Sequence, residues 1–458
     1  MKDVYLLEFS LQGVKNLDKK ITLSFYKDKF RRVASTNKYH VKAVYGMNGA
    51  GKSAIITGAD ILKKVLLQPY YLKDYLSSKK LKDLINKDQK KIDFTIQYLV
   101  KCADFIRQYE YQITISKDKN DEIFISDEQL LYKRVGTDKF ISLFEVHHGQ
   151  LIFPGDRQQS AILQELRYLT MNLLSASSLS SQFISKNVQL TLIKYGQEEL
   201  KNEVCRGLYN LLKFAYSMQV YLEDNDLHED YYNRIDVLSS KQESFMMYVN
   251  MNALPKDLEK EMRSDSSFMP LDTSFPVKKE NLPEIEERVK NLYRFIRIFK
   301  PELEKITLEK KEDKKFFICN LKMQYENYSI DAEFESTGIK KLIRLYSYIN
   351  YIVNGGIVFI DEMDANLHDV YLCALLEYLI DSAQGQLCFT THNIGPMHVL
   401  EHQKNSIDFL SADHQIVSWK KNGNYKPYNL YREGMIKGSP FNVDETDFVG
   451  IFDDEEKF

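Results

Sequence analysis

The feature that most restricts how this chain can fold is HVKAVYGMNGAGKSAII, residues 40–56. Its residues Gly46-Met47-Asn48-Gly49-Ala50-Gly51-Lys52-Ser53 fit the pattern G-x-x-x-x-G-K-[ST]. Such a loop cradles phosphate: glycines let backbone N–H groups close around the oxygens, a lysine meets the β- and γ-phosphates, and a hydroxyl meets Mg²⁺. It works only between a strand and a helix N-terminus that faces the anion. HVKAVY is apolar and β-branched enough for that strand, and SAIITGADILKKVLL has apolar residues at helical spacing. The expected fold class is therefore α/β. The expected nucleotide contacts are Gly46, Asn48, Gly49, Ala50, Gly51, Lys52, Ser53 and Ala54, with Ser53 also a metal ligand.

A second half-site lies far downstream in GGIVFIDEMDANLH (355–368). Ile357 to Ile360 fit a buried strand with Asp361 and Glu362 at its carboxyl end, where α/β sheets place ligand-binding groups. Asp361 is expected to hold Mg²⁺, and Glu362 to orient or deprotonate an attacking water. GQLCFTTHN (385–393) reads as another buried strand, ending in His392. A lone histidine is more often structural, but this one follows a strand downstream of the two acids, which points to catalysis. In FESTGIKKLIRLYSYI (334–349), Ser336-Thr337-Gly338 opens a helix rich in Lys and Arg. Such a start is either a helix cap or a second anion cradle; its helix runs directly into the strand with the two acids, which favours the cradle.

The remainder sets bounds. The composition, 44% hydrophobic and 28% charged, is ordinary for a globular protein. No apolar run approaches a membrane helix, and MKDVYLLEFSLQG lacks a signal-peptide layout, so the expected location is the cytoplasm, with no membrane partner. The five cysteines form no C-x-x-C pair, which suggests reduced thiols rather than disulfides or zinc. A net charge of −3 gives no general pull toward nucleic acid. The Lys-rich stretch 76–91 remains a candidate phosphate contact, although a solvated helix face is the commoner meaning. His147-His148 reads as surface, and His398 and His402 lack companions for a metal site. Strand alternation runs from Ile21, Leu23 and Phe25 through IDFTIQYLV, YEYQITISKD and DEIFISDEQLLYKR, as in an antiparallel meander. Helical periodicity then takes over, broken by loop-like SDSSFMPLDTSFP (264–276). The expected organisation is 1–150 with the phosphate loop, 151–305 a helical insertion, 306–433 with the acids and His392, and 434–458 an acidic, aromatic tail. Such a tail either solvates or docks, on a partner or on the chain's own body.

In this order the motifs resemble those of ATP-binding-cassette (ABC) ATPases, and most of all the soluble branch related to SMC, RecF and OLD proteins. YGMNGAGKSA, ESTGIKKL and IDEMDANLH resemble in particular the ATPases of bacterial abortive-infection and anti-phage systems. The likeness covers roughly residues 1–135 and 315–420. It implies an ABC-type P-loop ATPase head, a mixed sheet with flanking helices plus an antiparallel meander, carrying a helical insertion. Gly46 to Ser53 are then Walker A, Asp361 the Walker B aspartate, Glu362 the catalytic base, Asp364 to His368 the D-loop and His392 the switch histidine. Ser336 to Gly338 resemble a shortened signature motif that departs from LSGGQ. The Q-loop glutamine stays open among Gln97, Gln108 and Gln112. The resemblance implies ATP and Mg²⁺, a homodimer or higher homo-oligomer formed through the ATP sites, and a nuclease or toxin as effector partner. A RecF-like ATPase that clamps DNA is the second expectation. A transporter motor fits poorly, because the phosphate loop and the signature lie too far apart in sequence.

Overall fold

Alternating apolar residues in the first third of the chain build a sheet with one face on the core. In the computed structural model, residues 4–26, 40–101, 106–134, 137, 139–154, 161–173, 176–184, 202–222, 271–313, 316–403, 405–420 and 425–440 are described. The chain opens with β1 (Val4–Gln12) and β2 (Ile21–Ser24), and β3 (Val41–Gly46) leads through the glycine loop into α1 (Lys52–Leu67). Next come α2 (Tyr75–Leu84), β4 (Lys91–Lys101), β5 (Ile106–Lys117), β6 (Ile123–Arg134), β7 (Ile141–His147) and β8 (Gln150–Ile152). A seven-stranded antiparallel sheet has the order β2-β1-β4-β5-β6-β7-β8. Phe94, Ile96 and Tyr98 of β4 alternate inward, while Asp93, Thr95 and Gln97 lie on the opposite face.

Further along the chain are α3 (Ala161–Leu173), α4 (Leu179–Phe183), α5 (Glu203–Ser217), β9 (Met218–Tyr221), β10 (Phe275–Lys278), α6 (Leu282–Phe299), β11 (Lys305–Asp313), β12 (Phe316–Gln324) and β13 (Ser329–Asp331). The last part holds α7 (Thr337–Val353), β14 (Ile357–Ile360), α8 (Asp369–Ser382), β15 (Gln386–Thr390), α9 (Gly395–Leu400), β16 (Ile407–Leu410), β17 (Ile416–Ser418) and α10 (Pro427–Arg432). A six-stranded sheet, β17-β16-β3-β15-β14-β9, is parallel except for β17. Its central strands β3, β14 and β15 are buried at every position, as strands covered on both faces must be. On one face α1 fills the space between the two large sheets, with Ile55, Ile56, Ala59 and Leu62 in the same cluster as Phe9, Phe94 and Phe359. On the other face α7 and α8 contribute Leu345, Ile349, Leu372 and Leu376 to a second cluster with Tyr45 and Phe389. A third cluster joins α6, through Ile285, Val289, Leu292 and Ile296, to the small sheet β10-β12-β11 and to Leu342 of α7.

The stretch expected to be a helical insertion, 151–305, differs in its described parts. It supplies β9 to the central sheet, where Met218 to Tyr221 pair in parallel with Ile357 to Ile360, and β10 to the small sheet. Its helix α5 belongs to the main core: Leu208, Leu211 and Phe214 are buried, and Phe214 stacks on Tyr98 at 4.6 Å between ring centroids. Phe275 to Lys278, at the end of the stretch read as loop-like, is a strand because its two inward residues cap the third cluster. Residues 264–270 and the tail 441–458 lie outside the described residues.

Candidate nucleotide site

Strand β3, the glycine loop and α1 have the strand–loop–helix construction on which phosphate cradles are built. Gly51 caps α1 with φ of 102°, a left-handed conformation that favours glycine, and a Cβ there would stand 2.6 Å from Leu17 Cδ2. Asn48 and Gly49 are exposed at the loop tip, Ala50 and Lys52 are buried, and Ser53 and Ala54 begin the helix. Lys52 Nζ donates to the Gly46 carbonyl at 2.9 Å and to that of Met47 at 3.1 Å. Burial lowers its pKa, opposed by Asp361, Glu362 and Asp364. The turn between β1 and β2 buttresses the loop: Asn16 Nδ2 donates to the Gly49 carbonyl at 2.6 Å. Sequence reasoning missed Asn16, since an Asn-Leu-Asp turn has no signal beyond the turn itself.

Asp361 follows β14 and is 8% exposed. The buried Thr390 hydroxyl, at the end of β15, donates to Asp361 Oδ1 at 2.6 Å and accepts from the Glu362 N–H at 2.8 Å. One threonine thus orients both acids, and it too was invisible in sequence. Glu362 has φ of 44°, uncommon for a residue with a side chain. Its carbonyl accepts from Lys341 Nζ of α7 at 2.7 Å. Asp364 has a buried carboxylate oxygen, Oδ1, without a hydrogen-bond partner.

His392 is exposed just beyond β15, and the preceding Thr391 N–H reaches the Val44 carbonyl of β3 at 3.4 Å. Partial burial, and then Lys52, hold its pKa below the ordinary imidazole value, against the pull of Asp364, Glu362 and Asp361. The phosphate loop, the acids and the histidine therefore converge on Lys52. Ser336 and Gly338 lie at the start of α7. Ser336 is exposed and caps α7, accepting from the Ile339 N–H at 3.4 Å. A Cβ on Gly338 would meet only the Asn366 backbone, 2.7 Å from its carbonyl oxygen, so the helix start rests on the far end of the acid loop. Gln97, Gln108 and Gln112 share one polar cluster with Glu110 on the meander. His147 pairs with Asp127, the His398 ring lies 3.9 Å from that of Tyr428, and His402 pairs with Glu401.

The residues suit a magnesium nucleotide. Three carboxylates act electrostatically on one lysine, one of them with an orphaned oxygen, beside a loop whose Gly49 faces open space. Among the described residues no three His, Cys, Asp or Glu side chains group as a metal cage. Mg²⁺ on a phosphate needs only one or two carboxylates.

No family model matches the chain, nor does any curated protein. Similar solved structures are Smc head domains. One, with an extended coiled coil and bound to the C-terminal domain of ScpA from Pyrococcus furiosus, is 16% identical over 91% of this chain and 96% of that one, with a TM-score of 0.37. The SmcHead bound to the C-winged helix domain of ScpA is 14% identical over 91% and 98%, with a TM-score of 0.38. The Smc head domain with a coiled coil and joint from Pyrococcus yayanosii is 15% identical over 91% and 97%, with a TM-score of 0.39. Likeness at this level bears no functional weight, which rests on the residues themselves. Among the described residues no helix is long and apolar enough to cross a membrane.

Proposed function

We propose that the chain is an ABC-type, Mg²⁺-dependent ATPase of the branch related to SMC, RecF and OLD proteins, acting as a cytoplasmic subunit of an anti-phage complex in which nucleotide state controls a toxic effector. The observation that carries the ATPase reading is the convergence on Lys52 of the glycine loop, Asp361, Glu362, Asp364 and His392. Phosphate oxygens would take over the Lys52 ammonium from the Gly46 and Met47 carbonyls. Ser53 and Asp361 would hold Mg²⁺, which when bound neutralises charge on the phosphates. Glu362, its backbone N–H bonded to Thr390, would take a proton from the attacking water. His392, neutral near pH 7, would offer one hydrogen bond to the phosphate being released.

Ser336 lies exposed at the start of α7, and the neighbouring Gly338 packs on the Asn366 backbone. That supports a site completed by the signature residues of a second copy, hence a homodimer or larger homo-oligomer. The effector role rests on the motif likeness alone. One observation favours the runner-up, a DNA-clamping ATPase. Lys79 and Lys87 are exposed on or beside α2, near exposed Tyr75, and the end of α2 is tied to Lys15 beside the loop buttress. Salt-dependent binding of duplex DNA by the purified chain alone would support that reading.

The ATPase reading is tested by Mg²⁺-dependent phosphate release from the purified chain. Lys52→Ala and Asp361→Ala should reduce turnover to background, the first by losing phosphate binding and the second by losing the metal. Turnover by Lys52→Ala equal to that of the parent would refute the phosphate-loop assignment.

A further inference from the structure

Lys341 is a buried lysine that the proposed chemistry does not use. It lies in the first turns of α7, only 2% exposed, with its ammonium 5.6 Å from the centre of the Tyr221 ring. A buried ammonium is costly unless it is hydrogen-bonded, so its partners show what it is for. Its Nζ donates to the backbone carbonyl of Glu362 at 2.7 Å. On the other side of the same residue, the Glu362 N–H donates to Thr390 Oγ1 at 2.8 Å. Glu362 sits between these two bonds at φ of 44°. A residue with a side chain holds that conformation only where the surroundings over-determine it. The same carbonyl also accepts from the Ala365 N–H at 3.0 Å, and the Met363 N–H of that peptide donates to the Thr390 carbonyl at 3.0 Å. Lys341 adds a buried, charged donor to this carbonyl, a stronger bond than a neutral one, and so helps to fix the direction in which Cβ and the carboxylate leave the loop.

We infer that Lys341 is a positioning residue for Glu362, holding the base in its left-handed conformation through the carbonyl bond. This rests on the ATPase reading given above. Without the ammonium the carbonyl would keep the Ala365 N–H but lose its charged donor, and the loosened turn would let the carboxylate drift off the path of the attacking water. The bonds of Lys52 to the Gly46 and Met47 carbonyls do not involve Lys341, so phosphate binding is expected to persist.

The test compares kcat for ATP, the Kd for a fluorescent ATP analogue and the melting temperature in the parent, Lys341→Met and Lys341→Arg. Methionine keeps the apolar stem and removes the donor. The expected result for Lys341→Met is a fall in kcat of about tenfold to a hundredfold, the range for a misplaced reacting group, with Kd within about twofold of the parent and a cooperative melt. Lys341→Arg, which keeps a donor, should recover part of the lost kcat. Unchanged kcat in a folded Lys341→Met would overturn the inference. So would a loss shared equally by kcat and Kd, because a merely structural role moves both. A parent that does not turn ATP over would overturn the inference together with the ATPase reading, whereas an active parent with an unaffected Lys341→Met removes the inference alone.

Discussion

Glu128→Gln is expected to stabilise the protein at alkaline pH and to lose that advantage in acid. Glu128 lies on β6 with 2% exposure, accepting from the Tyr111 hydroxyl at 2.8 Å and from the Leu179 N–H at the start of α4 at 2.8 Å. Burial is the largest influence on its carboxyl; the hydrogen bonds only partly offset it, and the pKa rises from 4.5 to about 7. The unfolded chain thus releases this proton near pH 4.5 and the folded chain near pH 7. Between those values the unfolded state holds fewer protons, so stability falls as pH rises. The contribution is fully present below pH 4.5 and lost above pH 7. At 1.36 kcal/mol per pH unit the loss is about 3 kcal/mol. Unfolding entropy near 2.1 cal/mol/K per residue converts this, for a chain of 458 residues, to about 3 °C. Glutamine does not titrate, and its amide can accept from Leu179 while donating to Tyr111. Thermal melts of both proteins at pH 5 and pH 8 are the assay. The parent should lose about 3 °C relative to the variant between the two pH values. Other titrating groups cancel in that difference. A parent–variant difference that is the same at both pH values would refute the argument.

Glu362→Gln should bind ATP and turn it over about a hundredfold to ten-thousandfold more slowly, since the amide keeps the size but cannot take a proton; its ATP-bound dimer should then accumulate, and light scattering on ATP addition would detect it. Unchanged turnover by this variant would remove Glu362 from the base role. Thr390→Val keeps the shape and deletes the hydroxyl that bridges Asp361 and the Glu362 N–H. It should cost about 1–3 kcal/mol of stability by leaving buried groups unsatisfied, and lower turnover, whereas Thr390→Ser keeps both; denaturant titration and phosphate release decide this.

What was legible in the sequence divides along physical lines. Strands β3, β14 and β15 were readable because strands buried on both faces are continuous apolar runs, bounded here by the glycine loop, the acids and Thr391-His392. The meander was readable because its strands alternate. Strand β9 was not. Its four residues continue the apolar text of α5 without a turn signal, and their partner β14 lies far along the chain, so only tertiary pairing makes them a strand. Lys341 reads as one more lysine on an amphipathic helix, yet it is buried. Thr390 and Asn16 are ordinary polar residues whose roles come from neighbours brought together by folding. The left-handed turn at Glu362 leaves no trace in composition, since any glycine there would have lost the carboxylate.

The shared-site mechanism needs a test that the structure itself does not confound. Gly338→Asp looks suitable from sequence, because an acid at the signature should repel phosphate. In the folded chain, however, a Cβ on Gly338 would stand 2.7 Å from the Asn366 carbonyl oxygen. Backbone at that distance must shift, and Asn366 belongs to the same loop as Glu362, so the variant would damage its own acid pair as well as the face offered to a partner. Ser336 is the better position. Its side chain is exposed and accepts the cap bond from the Ile339 N–H. Aspartate caps a helix as well as serine does, so Ser336→Asp keeps α7 intact while placing a negative charge where a partner's phosphate would approach. The variant should bind ATP through its own Lys52 and be inactive alone. Mixed with Lys52→Ala, it should regain hydrolysis, because one of the two sites in a mixed dimer would join an intact phosphate loop to an intact signature. Titrating one variant into the other at fixed total protein and measuring phosphate release gives the result. Full activity of Ser336→Asp by itself, or a mixture that stays inactive while mixed dimers are demonstrably present, would leave Ser336 as a helix cap and nothing more.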